Sequence, residues 1–278
     1  MSRILTIPRD VSDSPNMAAN DAAILECIAE ELRSLGAEVV GYDGNMPEGT
    51  DIVCHMSRTP AILQMLEKAE SSGTRVINTP NAVNNCSRNS MIRAMEHTSV
   101  PQPAFKVVIE AEELEELPYP AWIKRGEGWS CHKDDVCYAA DAGEARQAFE
   151  RMQERGITNC IHCGHIEGDL IKFYAVGEDF FSYCYPDPEK SKFGLERING
   201  APSRYPFDLE RMKEIVHSAA KATGLEIYGG DCIVDSKGGI FIIDLNDFPS
   251  FTAVRHEAAE RIAQYIMNIK NKRKDDRR

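Results

Sequence analysis

No stretch of this 278-residue chain approaches the ~18 consecutive apolar residues that a membrane-spanning helix needs, so the sequence predicts no transmembrane span. The opening residues, Met1 to Pro8, run straight into a strand-like pattern without the longer apolar region and cleavage site of a secretory signal, which sets the expectation of a cytoplasmic protein. Basic residues are in deficit. With 32 Lys and Arg against 44 Asp and Glu, the formal net charge is -12; without a positive field the surface does not suit a phosphate backbone, and nucleic acid is excluded as a main partner. The basic tail from Lys270 to Arg278 reads as a solvated end. A disulfide framework is missing as well. The nine cysteines are an odd number scattered through strand-like segments, as at Cys54, Cys137, Cys184 and Cys232, and are expected to be buried free thiols in a reducing compartment. There is no internal repeat, no low-complexity tract and no Walker phosphate loop.

What is present is an ordinary globular composition, 42% hydrophobic and 27% charged, in a chain long enough for two domains or one large one. Residues 3–7 read as a strand, 18–35 as a helix closed by Gly36, 38–42 and 51–54 as strands, 60–69 as a helix and 75–77 as a strand. This β-α-β-β-α-β order predicts a small parallel sheet. In such sheets ligands collect at the carboxyl ends of the strands. Arg9 follows the first strand, and His55 with Arg58 follows the third, so they are candidates to meet an anionic small-molecule substrate; each could equally be a solvated loop group.

Beyond Asn78, short helices over 81–86 and 87–97 lead to Val100-Pro101-Gln102-Pro103, where the prolines mark a boundary. Strands at 104–109, 121–124, 137–140 and 159–162 and a helix at 142–155 give an α+β unit. A strand-rich region follows, with strands at 170–176 and 180–185, a helix at 209–223, a hairpin and a last helix over 254–269.

The hairpin is the most informative segment. Gly229-Gly230-Asp231-Cys232-Ile233-Val234-Asp235, a Ser236-Lys237-Gly238-Gly239 turn and Ile240 to Pro249 form two apolar runs with oxygen ligands at one end. Antiparallel pairing sets Asp231 beside Asp244 and Asn246, and those last two share a face because side chains alternate. Magnesium takes carboxylates together with substrate phosphates, so the trio predicts a nucleotide-linked Mg2+ site; as an alternative, the same residues would simply end a buried strand.

Lys124 ends a strand just before Gly126 and Gly128, a pattern that suits a flexible hairpin over nucleotide phosphates and also an ordinary flexible turn. Cys160-Ile161-His162-Cys163-Gly164-His165 suggests zinc, but no second pair lies nearby and its ligands alternate between strand faces, so a hinge between domains is the better reading. Lys172, a cation on the apolar strand Leu170 to Val176, is either a snorkelling edge residue or a phosphate ligand.

In their order along the chain these motifs resemble the ATP-grasp superfamily over essentially its whole length. The resemblance implies an α/β and α+β protein: an N-terminal domain with a small parallel sheet (1–80), a central α+β subdomain with the Gly-rich loop (81–163), and a C-terminal subdomain with an antiparallel sheet and the metal site (164–278). It implies ATP and one or two Mg2+ ions. Asp231, Asp244 and Asn246 match the metal ligands. Lys124 matches the phosphate lysine, with Gly126, Gly128, Trp129 and Ser130 as the loop over the phosphates. Arg88 stands where the family has its first ATP-binding lysine. The hinge, usually Gln-Glu, is here replaced by Cys163, Gly164, His165 and Ile166, whose backbone would meet adenine, with Asp169 beyond it. Lys172 and Arg197 would supply charge to the transferring group, and Asp247 and Ser250 would join Arg9, His55 and Arg58 around the acceptor. Most relatives are carboxylate-amine ligases acting through an acyl phosphate, which is the favoured expectation; the alternative is a hydroxyl kinase resembling the inositol polyphosphate kinases, to which Asp-Leu-Asn-Asp-Phe-Pro is closer. A monomer or homodimer is expected.

Overall fold

The computed structural model describes residues 2–15, 17–187 and 198–275, with side chains through residue 269. It contains three four-stranded sheets. The first is built from β1 (Arg3–Ile7), β2 (Glu38–Gly41), β3 (Ile52–His55) and β4 (Arg75–Ile77), all parallel in the order β2-β1-β3-β4. Helices α1 (Ala18–Ser34) and α2 (Pro60–Ser71) provide the crossovers. Ile24, Leu25, Ile28 and Leu32 recur at helical spacing and are the buried face of α1. Pro60 opens α2, where its missing N–H is no loss.

Two short helices follow, α3 (Pro80–Asn84) and α4 (Arg88–Glu96). The second sheet is antiparallel, in the order β5-β8-β6-β7, from β5 (Phe105–Val108), β6 (Ala121–Arg125), β7 (Val136–Ala139) and β8 (Cys160–Gly164), with α5 (Ala142–Gln153) laid on it. The third, also antiparallel, orders β10-β9-β11-β12 from β9 (Asp169–Val176), β10 (Phe180–Cys184), β11 (Ile227–Val234) and β12 (Ile240–Asp247). Helix α6 (Leu209–Thr223), capped by Asp208 and closed by Gly224, covers it; α7 (Arg255–Asp275) follows.

The cores cross the expected boundaries. Met91, Ile92 and Met95 of α4 pack into one cluster with Met212 and Ile215 of α6 and the third sheet, so α4 is held by the C-terminal half. A second cluster joins Ile24, Ile28 and Leu32 of α1 to Ile262 and Ile266 of α7 and to Val176 and Ile227 of the third sheet. Among the described residues no helix is long and apolar enough to cross a membrane.

Candidate active site

The third sheet lines up four side chains. Registers across its strands place Cys184 opposite Lys172, Lys172 opposite Asp231, and Asp231 opposite Asp244. All four line one cavity of about 900 Å³. Lys172 Nζ donates to Asp231 Oδ1 at 3.0 Å. Next to Asp231 the pairing of β11 with β12 slips, Cys232 facing Ile242, so Ile243 is the extra residue of a β-bulge. Its carbonyl accepts from Lys124 Nζ of the second sheet at 3.0 Å, which brings that lysine to the acidic row. Asn246 lies opposite Gly229, over which Pro249 and Tyr174 pack. Gly230 is a steric requirement: a Cβ there would overlap the Asp244 carbonyl and the Phe173 ring.

The wall above is formed by α4 and the loop after β6. Arg88 Nη1 donates to Ser130 Oγ at 2.9 Å, and Arg88 Nη2 lies 3.5 Å from Asp244 Oδ2, so one guanidinium bridges the loop and the acidic row. Asp135, fully buried, accepts from the N–H groups of Cys131 and His132 at 2.8 Å each and pairs with Arg155, which fixes the far end of the loop. Between these anchors Trp129 sits with its ring 5.0 Å from the Arg58 guanidinium.

Arg58 and Arg9 belong to the N-terminal wall. Arg58 Nε and Nη2 both donate to Asp247 Oδ1, at 2.9 and 2.5 Å. Arg9 Nη2 donates to the carbonyls of Asp247 and Phe248 at 3.0 and 2.7 Å; its Nε pairs with Asp21 at 3.3 Å and its Nη1 with Asp247 at 3.5 Å. Burial, with the Arg58 charge adding to it, pushes the Arg9 pKa down. For Arg58 burial acts in the same direction, but the Asp247 carboxylate outweighs it and raises the value. Nearby, Tyr174 shares the face of Lys172 two residues on; burial pushes its pKa up to about 12, so it stays a neutral phenol.

The cavity also has an apolar end, lined by Trp122, Cys163, Ile166, Leu170 and Ile233. The N–H groups of Gly164 and His165 are taken by the carbonyls of Ala104 and Pro120.

Family models and curated protein sequences give no match to this chain, whereas solved structures do. It is similar to the VanG D-Ala:D-Ser ligase of Enterococcus faecalis at a TM-score of 0.71, with 14% identity, 96% of this chain and 98% of that one covered. A RimK-domain ATP-grasp protein of Sphaerobacter thermophilus superposes at a TM-score of 0.69, with 14% identity and 95% and 99% coverage. The D-alanine–D-alanine ligase of Bacillus anthracis, also solved with ATP, gives 0.70 with 13% identity and 98% and 100% coverage. The chain has the ATP-grasp fold.

Within this ATP-grasp frame the sequence-derived residues sort by where they point. Lys124, Arg88, Gly128, Trp129, Ser130, Cys163, Gly164, Ile166, Lys172, Asp231, Asp244, Asn246, Asp247, Ser250, Arg9 and Arg58 line the cavity. Four others do not. His55 is buried, its Nε2 2.7 Å from the Asn78 carbonyl, and burial lowers its pKa. Gly126 holds a packing contact: a Cβ there would overlap Asn159 Oδ1. The His165 ring turns away, with Nδ1 accepting from Trp122 Nε1 at 3.1 Å and Tyr138 edge-on at 5.4 Å. Asp169 is consumed by the N–H groups of Ser203 and Tyr205, at 2.6 and 2.7 Å. A further correction concerns Arg9 and Arg58, which were expected to meet an anion: buried carboxylates already take their charge. Arg197 lies outside the described residues.

Sequence reasoning missed Trp122, Tyr174 and the wall residues Met17, Asn20 and Asp21. Strand alternation would have found the first two, which stand two residues from Lys124 and Lys172. Asp21, inside α1, carries no such signal.

Proposed function

We propose that this protein is an ATP- and Mg2+-dependent carboxylate-amine ligase working through an acyl phosphate. The observation that carries the proposal is the row Lys172, Asp231 and Asp244, with Asn246 beside it and Arg88 and Lys124 brought against it, all lining a single cavity. The donor set fits magnesium, being two carboxylates and an amide with no sulfur or imidazole among them. Held by Asp231, Asp244 and Asn246, the ion would neutralise charge on the β- and γ-phosphates.

The chain's own residues supply the rest. The apolar end around Trp122, Ile166 and Ile233 takes the base, with the Ile166 N–H and the hinge carbonyls to meet its edge. Lys124 and Arg88 hold phosphate oxygens, and Gly128 to Ser130 cover them and exclude water. Lys172, beside the transferring group, offsets charge as the acceptor carboxylate attacks the γ-phosphorus and ADP leaves. An amine then attacks the acyl carbon and phosphate departs; close placement of both reactants in one cavity lowers the barrier to each step. Support for the ligase over the kinase comes from the N-terminal wall. Its two arginines are matched by Asp21 and Asp247, so that end is not built for a polyphosphate.

Product analysis tests this. With Mg·ATP and a panel of amino acids, dipeptides and inositol phosphates, the expected result is an amide with ADP and free phosphate in equal amounts. ADP with phosphate retained on a hydroxyl would replace the ligase with a kinase. Asp244→Ala should lower turnover by about a hundredfold or more with an unchanged circular dichroism spectrum, a loss of the size seen when electrostatic stabilisation is removed.

A further inference from the structure

Both tryptophans of the chain line the cavity, and they differ in one respect. Trp122 Nε1 donates to His165 Nδ1, whereas Trp129 Nε1 is shut off from solvent and has no acceptor among the described residues. An indole nitrogen is a donor only, and an unmet buried donor disfavours the conformation that buries it. The face of the Trp129 ring is already occupied by Arg58, which is itself fixed on Asp247, one residue beyond Asn246. The next residue, Ser130, accepts from Arg88, which also meets Asp244. Trp129 therefore stands where the phosphate wall joins the acceptor end, with its ring held on one side and its N–H edge unmet.

We propose that, once a bound nucleotide re-seats the loop and turns this closed-off edge to the cavity, the Trp129 indole N–H donates a hydrogen bond to the phosphoryl group in transit, first as the terminal phosphate of the nucleotide and then as the acyl phosphate. Arg58 is the positioning residue that sets the tilt of the ring. The proposal rests on the nucleotide-dependent reading above and adds to it a contact that senses whether the third phosphate is present. ADP and a non-hydrolysable ATP analogue differ only in that group. A loop that merely packs over the nucleotide would treat them alike; an N–H directed at the terminal phosphate would not.

The test uses the full chain labelled with 15N-tryptophan, whose two indole N–H signals are assigned by the one lost in Trp129→Phe. Should that variant fail to fold, Trp122→Phe assigns the same pair. On adding Mg2+ with the imido analogue of ATP, the Trp129 signal is expected to move downfield in the proton dimension, and with Mg·ADP it is not. Calorimetry run in parallel establishes that both nucleotides bind. Trp129→Phe, which keeps an aromatic ring and loses the donor, should weaken binding of the analogue about tenfold more than it weakens binding of Mg·ADP, the scale of a hydrogen bond to a charged group. An identical Trp129 response to the two bound nucleotides, or a folded Trp129→Phe that loses no more affinity for the analogue than for Mg·ADP, would overturn the proposal. If neither nucleotide binds, the ligase reading itself falls, and the calorimetry alone reveals it.

Discussion

Asp247 holds two guanidinium groups from the other end of the chain, and all three side chains are at least nine-tenths buried. Charges out of water survive only in pairs, and removing one partner strands the other. Asp247→Asn keeps the shape and withdraws the charge, leaving Arg9 and Arg58 buried with Asp21 and the half-exposed Asp13 to share. The expected cost is about 3–5 kcal/mol of stability, read from urea unfolding; a change within about 0.5 kcal/mol, the range of an ordinary surface substitution, would show the cluster to be solvated. The same cluster explains why the sequence misled at this wall. Arg9 and Arg58 lie after strands β1 and β3 as the pattern requires, but their partner stands 238 and 189 positions further on. Neutralisation at that separation leaves no local trace. His55 and Asp169 went astray for the same reason, their partners being supplied by Asn78 and by Ser203 and Tyr205.

Elements were more legible than contacts. The hairpin β11–β12 could be read because two apolar runs, a glycine turn and oxygen ligands at fixed offsets each carry a local signal, and the parallel order of the first sheet followed from its crossover helices. The bulge at Ile243 could not be read, because one extra residue in an apolar strand does not change the composition. It nonetheless presents the carbonyl that anchors Lys124, so it links the second sheet to the third at the acidic row. Gly230 makes the bulge sterically possible. Gly230→Ala would force its Cβ into the Asp244 carbonyl and the Phe173 ring, and is expected to cost about 1–3 kcal/mol as an overpacked site. Because the displaced group is Asp244, nucleotide affinity in calorimetry should fall more than the thermal midpoint does. A variant destabilised with its affinity intact would separate the bulge from the site.

Over the whole molecule, three imidazoles, two buried and one half-buried, share one electrostatic bias. Burial holds His55, His162 and His165 below the ordinary 6.5, the first in the parallel sheet and the others in the second sheet and its hinge. Above about pH 6.5 both folded and unfolded chains keep these rings neutral, and nothing is lost. Below it the unfolded chain takes up protons that the folded one resists, so stability is expected to fall as the pH drops from 6.5 toward the lowered folded values. Thermal midpoints at pH 7.5, 6.5 and 5.5 test this: the decline should lie between the last two, and a flat profile would mean that the rings titrate freely in place.

Helix α1 packs its buried stripe against α7, which comes more than two hundred residues later. A ribosome therefore finishes the parallel sheet long before it makes the helix that covers Ile24, Ile28 and Leu32. Until the final turns emerge, the nascent chain carries an uncovered greasy flank, the kind of surface on which molecular chaperones act.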